Sequence, residues 1–93
     1  MHWINEKGDM LAACDEELLG EEIEGEELSL KVNEGFYKGR KVDGEELGQL
    51  INNYGNINLI GKETVEIAEG EKGELSKKYI GEVPHAIIIT MSR

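Results

Sequence analysis

Among the residues of this 93-residue chain suited to nucleophilic or acid–base chemistry, three are candidates for one catalytic group: Cys14, Asp15 and His85. A cysteine beside a histidine, with a carboxylate that orients the imidazole, is one arrangement for nucleophilic catalysis. The three form such a group if the first apolar segment lies beside the last. Each also has a structural interpretation, because free cysteines are often buried, Asp15 can cap the helix that follows it, and His85 can bind a loop carbonyl. If Asp15 is only such a cap, its replacement by alanine should cost about 1 kcal/mol.

No metal or cofactor site is predicted. Cys14, His2 and His85 lack the paired short spacing that is typical of zinc ligands, and His2 is expected to fray beside the initiator Met. The segment 15–27 holds eight acidic residues, but their spacing is not that of an EF-hand calcium loop. Acidic runs of this kind usually form solvated faces, so we expect neither metal ligands nor a cofactor.

A second kind of chemistry is indicated between residues 31 and 41, where basic residues accompany aromatic ones and Glu34 is the single acid. Basic and aromatic side chains together can bind single-stranded nucleic acid, through phosphate pairing and base stacking. The alternative is that Phe36 belongs to the core and that the basic residues lie on a solvated turn. The candidate ligand- or partner-binding residues of this basic–aromatic segment are Phe36, Tyr37, Lys38, Arg40 and Lys41.

The net charge of −10 is concentrated in the front half of the chain. Residues 1–47 hold 14 acids and 5 bases, which gives −9, whereas residues 48–93 hold 6 and 5, which gives −1. A nucleic-acid footprint normally needs a net basic face, so this balance argues against a dedicated DNA or RNA binder unless a local basic patch exists. Because salt screens the repulsion among these acids, we expect a cytosol of high ionic strength.

The single cysteine indicates a reducing compartment, because Cys14 has no partner for an internal disulfide. The uninterrupted apolar stretches, such as 86–89, are all far shorter than the roughly 20 residues of a membrane span. Charged residues interrupt the apolar run that a secretory signal needs near the N-terminus. These features predict a cytoplasmic protein without a membrane partner.

Several apolar segments predict strands. Two of them flank a turn at Gly8, and Leu28, Leu30 and Val32 alternate with polar residues as in a strand with one buried face. Pro84 is expected to close a turn, with a central strand covered on both faces after it. The predicted strands are 2–5, 10–14, 28–32, 78–80 and 86–91, with 21–27 a loop or edge strand and 56–60 unclassified.

Capping residues and apolar stripes predict the helices. Asp43 can cap a helix at 44–54 that ends at Gly55, and a second helix at 62–69 lies between Gly61 and Gly70. A helix of one or two turns is expected at 15–19, and a turn at 33–35. The stripe of the first long helix consists of Leu47, Leu50, Ile51 and Tyr54.

The order of these elements lacks the strict strand–helix–strand alternation of a parallel sheet. We therefore predict an α+β fold: one small domain over residues 1–93, with a mainly antiparallel or mixed sheet and two to three short helices. Helices of these lengths do not persist alone in water, so the longer ones must pack against the sheet.

Four short motifs, in this order and spacing, resemble a family of archaeal proteins known as domain of unknown function 424. They are CDEELLG at 14–20, FY at 36–37, NLIG at 58–61 and GEVPHA at 81–86. The resemblance spans nearly the whole chain and implies an archaeal, cytoplasmic, single-domain protein, but it implies no activity. It makes Asp15 and His85 candidates for one shared surface. The Glu-rich composition is similar to that of proteins from hyperthermophiles.

The leading functional hypothesis is a non-enzymatic binding or adaptor module for a protein or ribonucleoprotein assembly. It would use the basic–aromatic segment or the surface near Asp15 and His85. One alternative is a small enzyme that uses Cys14 or His85 with Asp15, which requires these side chains to converge around a pocket. Another is a structural subunit of a homo-oligomer, which requires an apolar face that the monomer leaves uncovered.

Overall fold

The computed structural model describes residues 1–89, which contain eight β-strands and three α-helices. The strands are β1 (His2–Lys7), β2 (Met10–Asp15), β3 (Glu22–Glu24), β4 (Ser29–Lys31), β5 (Arg40–Val42), β6 (Asn56–Ile60), β7 (Lys78–Ile80) and β8 (Val83–Ile89). The helices are α1 (Glu34–Tyr37), α2 (Gly44–Ile51) and α3 (Lys62–Lys72), and a 3₁₀ turn covers Glu16–Leu18. The predicted α+β class is confirmed.

Six strands form one mixed sheet in the order β5-β1-β2-β6-β8-β7. Only the β2–β6 pair is parallel within residues 1–89, and the other neighbours in this sheet are antiparallel. The two remaining strands, β3 and β4, form a separate antiparallel hairpin. The predicted mixed sheet is confirmed, and the unclassified segment at 56–60 is its central strand β6.

The first two strands form the predicted hairpin. Its two-residue turn joins Lys7 to Met10, which are opposite each other in the ladder, and Gly8 has a φ of +60°. A two-residue hairpin turn needs this left-handed conformation, which glycine adopts without a steric penalty.

The large sheet is covered on both faces, because alternate residues of each strand point to opposite sides. Its first face, with Leu11 and Leu59, packs against α2 and α3. Its second face, with Cys14 and Ile60, lies under the smaller layer of α1 and the β3–β4 hairpin. All residues of β2 from Leu11 to Asp15 are buried for this reason.

The two longer helices differ from the prediction at their C-termini. The Asp43 carboxylate accepts a bond from the Glu46 amide (2.9 Å) and caps α2 as expected, but the helix ends at Ile51 rather than at residue 54. The second helix does not stop at Gly70, which is helical and exposed, and α3 continues to Lys72. Gly73, with a φ of +87°, terminates it.

Two predictions around β8 are wrong. Pro84 lies inside this strand and closes no turn. A proline is tolerated there because it precedes the last pair of the β6–β8 ladder, Ile60 with His85, so its missing N–H group interrupts no hydrogen bond of that ladder. β8 is also not covered on both faces: Ile87 is 56% exposed, because the smaller layer covers only the Cys14 end of the second face. Residues 90 and 91 of the predicted strand lie outside the described residues.

Short elements account for the other differences. The turn expected at 33–35 is the start of α1, where the Asn33 side chain accepts a bond from the Gly35 amide (2.7 Å). The strand predicted at 28–32 is the shorter β4, and Leu28 is exposed rather than buried. No helix among residues 1–89 is long and apolar enough to cross a membrane.

Candidate functional site

The three catalytic candidates do not converge. Cys14 and His85 are both opposite Ile60 in the ladder, so they lie on the second face but on strands two positions apart, about 10 Å. Asp15 follows Cys14 in β2 and therefore points to the first face. The grouping predicted from the residue types is not formed, and the enzyme alternative loses its geometric basis.

Cys14 is also shielded from solvent. Its side chain is fully buried in the second-face core, and this burial, followed by the nearby charge of Asp15, raises the pKa of the Cys14 thiol to about 12. A thiol that stays protonated near pH 7 is not a nucleophile, because the thiolate is the reactive form. Cys14 is a core residue, as its structural interpretation predicted.

Asp15 caps a helix, but not the one that follows it in sequence. Its buried carboxylate accepts bonds from the backbone amides of Glu63 (3.2 Å) and Thr64 (2.7 Å) and from the Thr64 hydroxyl (2.7 Å). These groups lie in the first turn of α3, whose preceding residue, Gly61, has no side chain with which to cap it. The 3₁₀ turn after Asp15 receives no side-chain cap.

His2 completes this buried network and does not fray as expected. Its Nδ1 atom lies 2.8 Å from the Thr64 hydroxyl, and its ring is 3% exposed. Because the hydroxyl donates its proton to Asp15, it accepts from His2, so Nδ1 carries the hydrogen. The hydrogen bonds anchor the N-terminal strand to the start of α3.

Acid is expected to destabilise the protein through its two histidines. Burial lowers the pKa of His2 below 6.5, and burial, followed by the charge of Lys78, lowers that of His85. The unfolded chain therefore binds more protons than the folded one as the pH falls below 6.5. Thermal melts at successive pH values should show a midpoint that is constant just above pH 6.5 and falls below it.

The variant His2→Asn tests which group is responsible. It should melt at a lower temperature than the parent at pH 7, yet show a shallower decline between pH 6.5 and about pH 5, because one proton-binding group has been removed. Equal slopes for parent and variant would contradict the assignment to His2.

The basic–aromatic segment is divided between core and surface. Tyr37 is buried, and Phe36 is half-buried against it with an edge-to-face contact of 4.9 Å between ring centroids. Arg40 is paired with Glu46 and Glu6, and Lys41 is paired with Glu16. The segment alone is therefore not the cationic surface that the sequence indicated.

Lys38 and Lys41 instead lie against an aromatic ring from another element. Their ammonium groups are 5.7 Å and 5.5 Å from the centroid of the Trp3 ring, in the range of cation–π contacts. The two lysine side chains therefore cover the half-buried Trp3 on the second face. Phe36 also has a lysine near its ring, with the Lys7 ammonium group 5.7 Å from its centroid, and it lines an open surface.

An open cleft of about 520 Å³ lies where the smaller layer stops covering the second face. We call it the His85 cleft. Asn58 of β6 and His85 of β8 line it from the large sheet, and β4, α1 and the end of β1 line it from the other sides. These other residues are Lys7, Leu30, Lys31, Asn33, Gly35, Phe36 and Tyr37.

A hydrogen-bond network fixes the polar groups of the large sheet in this cleft. The Asn58 Oδ1 atom accepts a bond from the Tyr37 hydroxyl (2.8 Å) and a second from His85 Nε2 (3.1 Å). Burial raises the pKa of Tyr37, so its hydroxyl stays protonated as a donor. Because Oδ1 already serves two donors, the Asn58 NH₂ group is the part of this amide left to donate to a ligand.

Among residues 1–89, no carboxylate lines the His85 cleft, although the chain has twice as many acidic as basic residues. Lys7 and Lys31 stand at its edges, and Lys78 is opposite His85 in the β7–β8 ladder. None of the ion pairs within residues 1–89 involves these lysines. Glu22, opposite Lys31, accepts a bond from Ser29 instead.

Sequence reasoning found His85, Phe36 and Tyr37 but missed the residues that join them. Asn58 lies within the NLIG motif, and the alternation of Asn56 and Asn58 with apolar residues marks one face of a strand. That alternation was the available signal. Lys7 and Lys31 had none, because only the hairpin and the second layer bring them to the cleft.

Residues 2–91 match the family model described as "Protein of unknown function (DUF424)". This chain belongs to the DUF424 family. The family resemblance predicted from the four motifs is thereby confirmed. The DUF424 description assigns no activity, so the function of this chain has to follow from the chemistry of its surface.

A solved structure supports the fold of this DUF424 chain. It is the crystal structure of an uncharacterized conserved protein from Methanopyrus kandleri, which has 23% sequence identity and a TM-score of 0.68. The alignment covers 100% of this chain and 94% of that chain. At this identity the likeness shows a shared fold alone. No curated protein matches this chain.

Proposed function

We propose that this protein is a non-enzymatic binding module that engages an anionic partner in a protein or ribonucleoprotein assembly through the His85 cleft. One observation carries the proposal: in a chain of net charge −10, the described residues that line the cleft include lysines and no carboxylate. A concave surface of one charge sign concentrates field lines and attracts ligands of the opposite sign.

The range of electrostatic interactions favours a partner that makes direct contact. The Debye length at physiological salt is about 8 Å, so acids elsewhere on the surface are largely screened from a ligand seated in the cleft. Lys7, Lys31 and Lys78 therefore act on a ligand that contacts them directly. This requirement for contact gives selectivity for partners that fit the cleft.

The rigidity of the site supports binding rather than catalysis. Asn58 accepts hydrogen bonds from one side chain of α1 and one of β8. Its amide is therefore already ordered before a ligand binds, which lowers the entropic cost of binding. Of the three catalytic candidates, His85 alone lines the cleft, whereas Cys14 is part of the core and Asp15 caps α3.

Retention on a heparin column tests this proposal with a generic polyanion. The parent protein should be retained at low salt despite its net charge, and the double variant Lys7→Gln, Lys31→Gln should elute at distinctly lower salt. The matched control is Lys62→Gln, Lys72→Gln, which removes the same charge from α3 on the first face and should elute with the parent. Flow-through of the parent, or equal shifts for both variants, would refute the proposal.

A further inference from the structure

The second face remains open beside the His85 cleft. Ile87 is opposite Asn58 in the ladder, and Ile89 is opposite Asn56, so all four side chains share this face with His85. Ile87 and Ile89 are 56% and 67% exposed. The open part of the sheet is therefore an apolar platform with amide groups along its middle strand.

Lysines border this platform on several sides. Lys7 lies at the end of β1, Lys78 lies on the edge strand β7, and Lys31 of β4 lines the cleft. Between β1 and β7 there are four strand spacings, about 19 Å, which is the length of a few extended nucleotides. The half-buried ring of Phe36 lines the His85 cleft, and the Lys7 ammonium group lies 5.7 Å from the centroid of this ring.

We infer that the ligand of the His85 cleft is a single-stranded nucleic acid, which lays its bases on the platform and its phosphates against these lysines. This inference rests on the proposed function and names its partner class. The phosphates of such a strand would pair with Lys7, Lys31 and Lys78. Its base faces would stack on Phe36 and Ile87, and acceptor atoms on its base edges would accept hydrogen bonds from the Asn58 NH₂ group. A duplex hides its base faces and cannot use the platform.

Charge complementarity selects this ligand over an acidic peptide. A run of carboxylates would satisfy the lysines, but it would leave Ile87 and Phe36 in contact with charged groups or water. Each nucleotide instead combines a negative phosphate with a flat apolar base. The base matches the apolar platform, and the phosphate matches the lysines that border it. Ribose and deoxyribose strands share this chemistry, so the experiment includes both.

The test is fluorescence anisotropy with a labelled single strand of about twelve nucleotides, as RNA and as DNA, at salt concentrations from about 50 to 200 mM. Saturable binding is expected, and the magnitude of the log–log salt slope should fall by about 0.7 in Lys31→Gln, because one phosphate contact is lost. Ile87→Ser should weaken binding about tenfold with an unchanged slope, because it removes contact with a base and no charge.

Each variant has a matched control. Lys62→Gln removes a positive charge away from the cleft, and Tyr79→Ser removes an exposed apolar ring of β7 that points to the first face. Both should bind like the parent. Ile87 is exposed, so Ile87→Ser should keep the parent's thermal midpoint, which is measured alongside.

Several outcomes would overturn the inference. Polyglutamate that binds as tightly as the strand, or heparin retention without strand binding, would leave the proposed function standing and exclude nucleic acid as its ligand. Self-association that Ile87→Ser abolishes, with no strand bound, would assign the platform to a second copy of the chain. Loss of both heparin and strand binding would refute both proposals.

Discussion

Replacing Gly61 with alanine is expected to destabilise the protein by about 4 kcal/mol. Gly61 has φ +118° and ψ 147°, a backbone conformation that costs other residues about 1–3 kcal/mol. A Cβ there would also collide with the Asp15 carboxyl group, whose nearer oxygen would lie 2.6 Å away. The carboxylate would have to leave the start of α3, so backbone strain adds to the loss of a buried cap.

Urea unfolding followed by the fluorescence of the single tryptophan, Trp3, measures this effect. Two other glycines separate its causes. Gly73→Ala introduces a residue at φ +87° with nothing within 4 Å of the new Cβ, so it reports backbone strain alone. Gly70→Ala, within α3 and also uncrowded, should stabilise by about 0.5–1 kcal/mol. If Gly61→Ala costs no more than Gly73→Ala, the clash with Asp15 is absent.

The variant Asp15→Ala is expected to lose about 3 kcal/mol, well above the 1 kcal/mol of an ordinary helix cap. The carboxylate is 4% exposed and accepts three hydrogen bonds from Glu63 and Thr64. Its removal leaves these donors buried without partners and takes the acceptor from the hydroxyl that His2 binds. Each unsatisfied buried group costs about 1–3 kcal/mol.

Asp43 provides the matched control for this variant. It caps α2 with one bond to the Glu46 amide and is exposed, so Asp43→Ala should cost about 1 kcal/mol in the same urea titration. Equal losses for the two variants would show that Asp15 is no more than a surface cap. Combining Asp15→Ala with Gly61→Ala should cost less than the sum, because both disrupt one contact.

Local patterns were sufficient to predict much of the fold. The hairpin at Gly8, the cap at Asp43 and the core positions Leu47 and Ile51 of α2 each depend on residues within a few positions of one another. The wrong predictions depend on contacts between residues that are distant in sequence. Gly70 is helical because α3 packs on the sheet, and Ile87 is exposed because the second layer is too small to reach it. Neither fact is encoded in the neighbouring residues.

The candidate site was predictable in its residue types but not in its grouping. His85 and Phe36 were named from their chemistry, yet their connection runs through Asn58, an amide with no catalytic signature. Asp15 was recognised as a cap, but its helix begins 47 residues later, at Lys62. Charge alone was misleading for Arg40 and Lys41, because Glu46 and the more distant Glu6 pair with Arg40 and Glu16 pairs with Lys41.

The parallel pairing of β2 with β6 has a consequence for how the chain folds. The hairpin forms from neighbouring residues, but β2 is completed only when residues 56–60 reach it and Thr64 meets Asp15, 49 residues away. Closing a loop of this size costs entropy before the contacts compensate for it, so this step should limit the folding rate. On the ribosome, the sheet begun by the front half therefore cannot be completed until residues 56–64 have been synthesised.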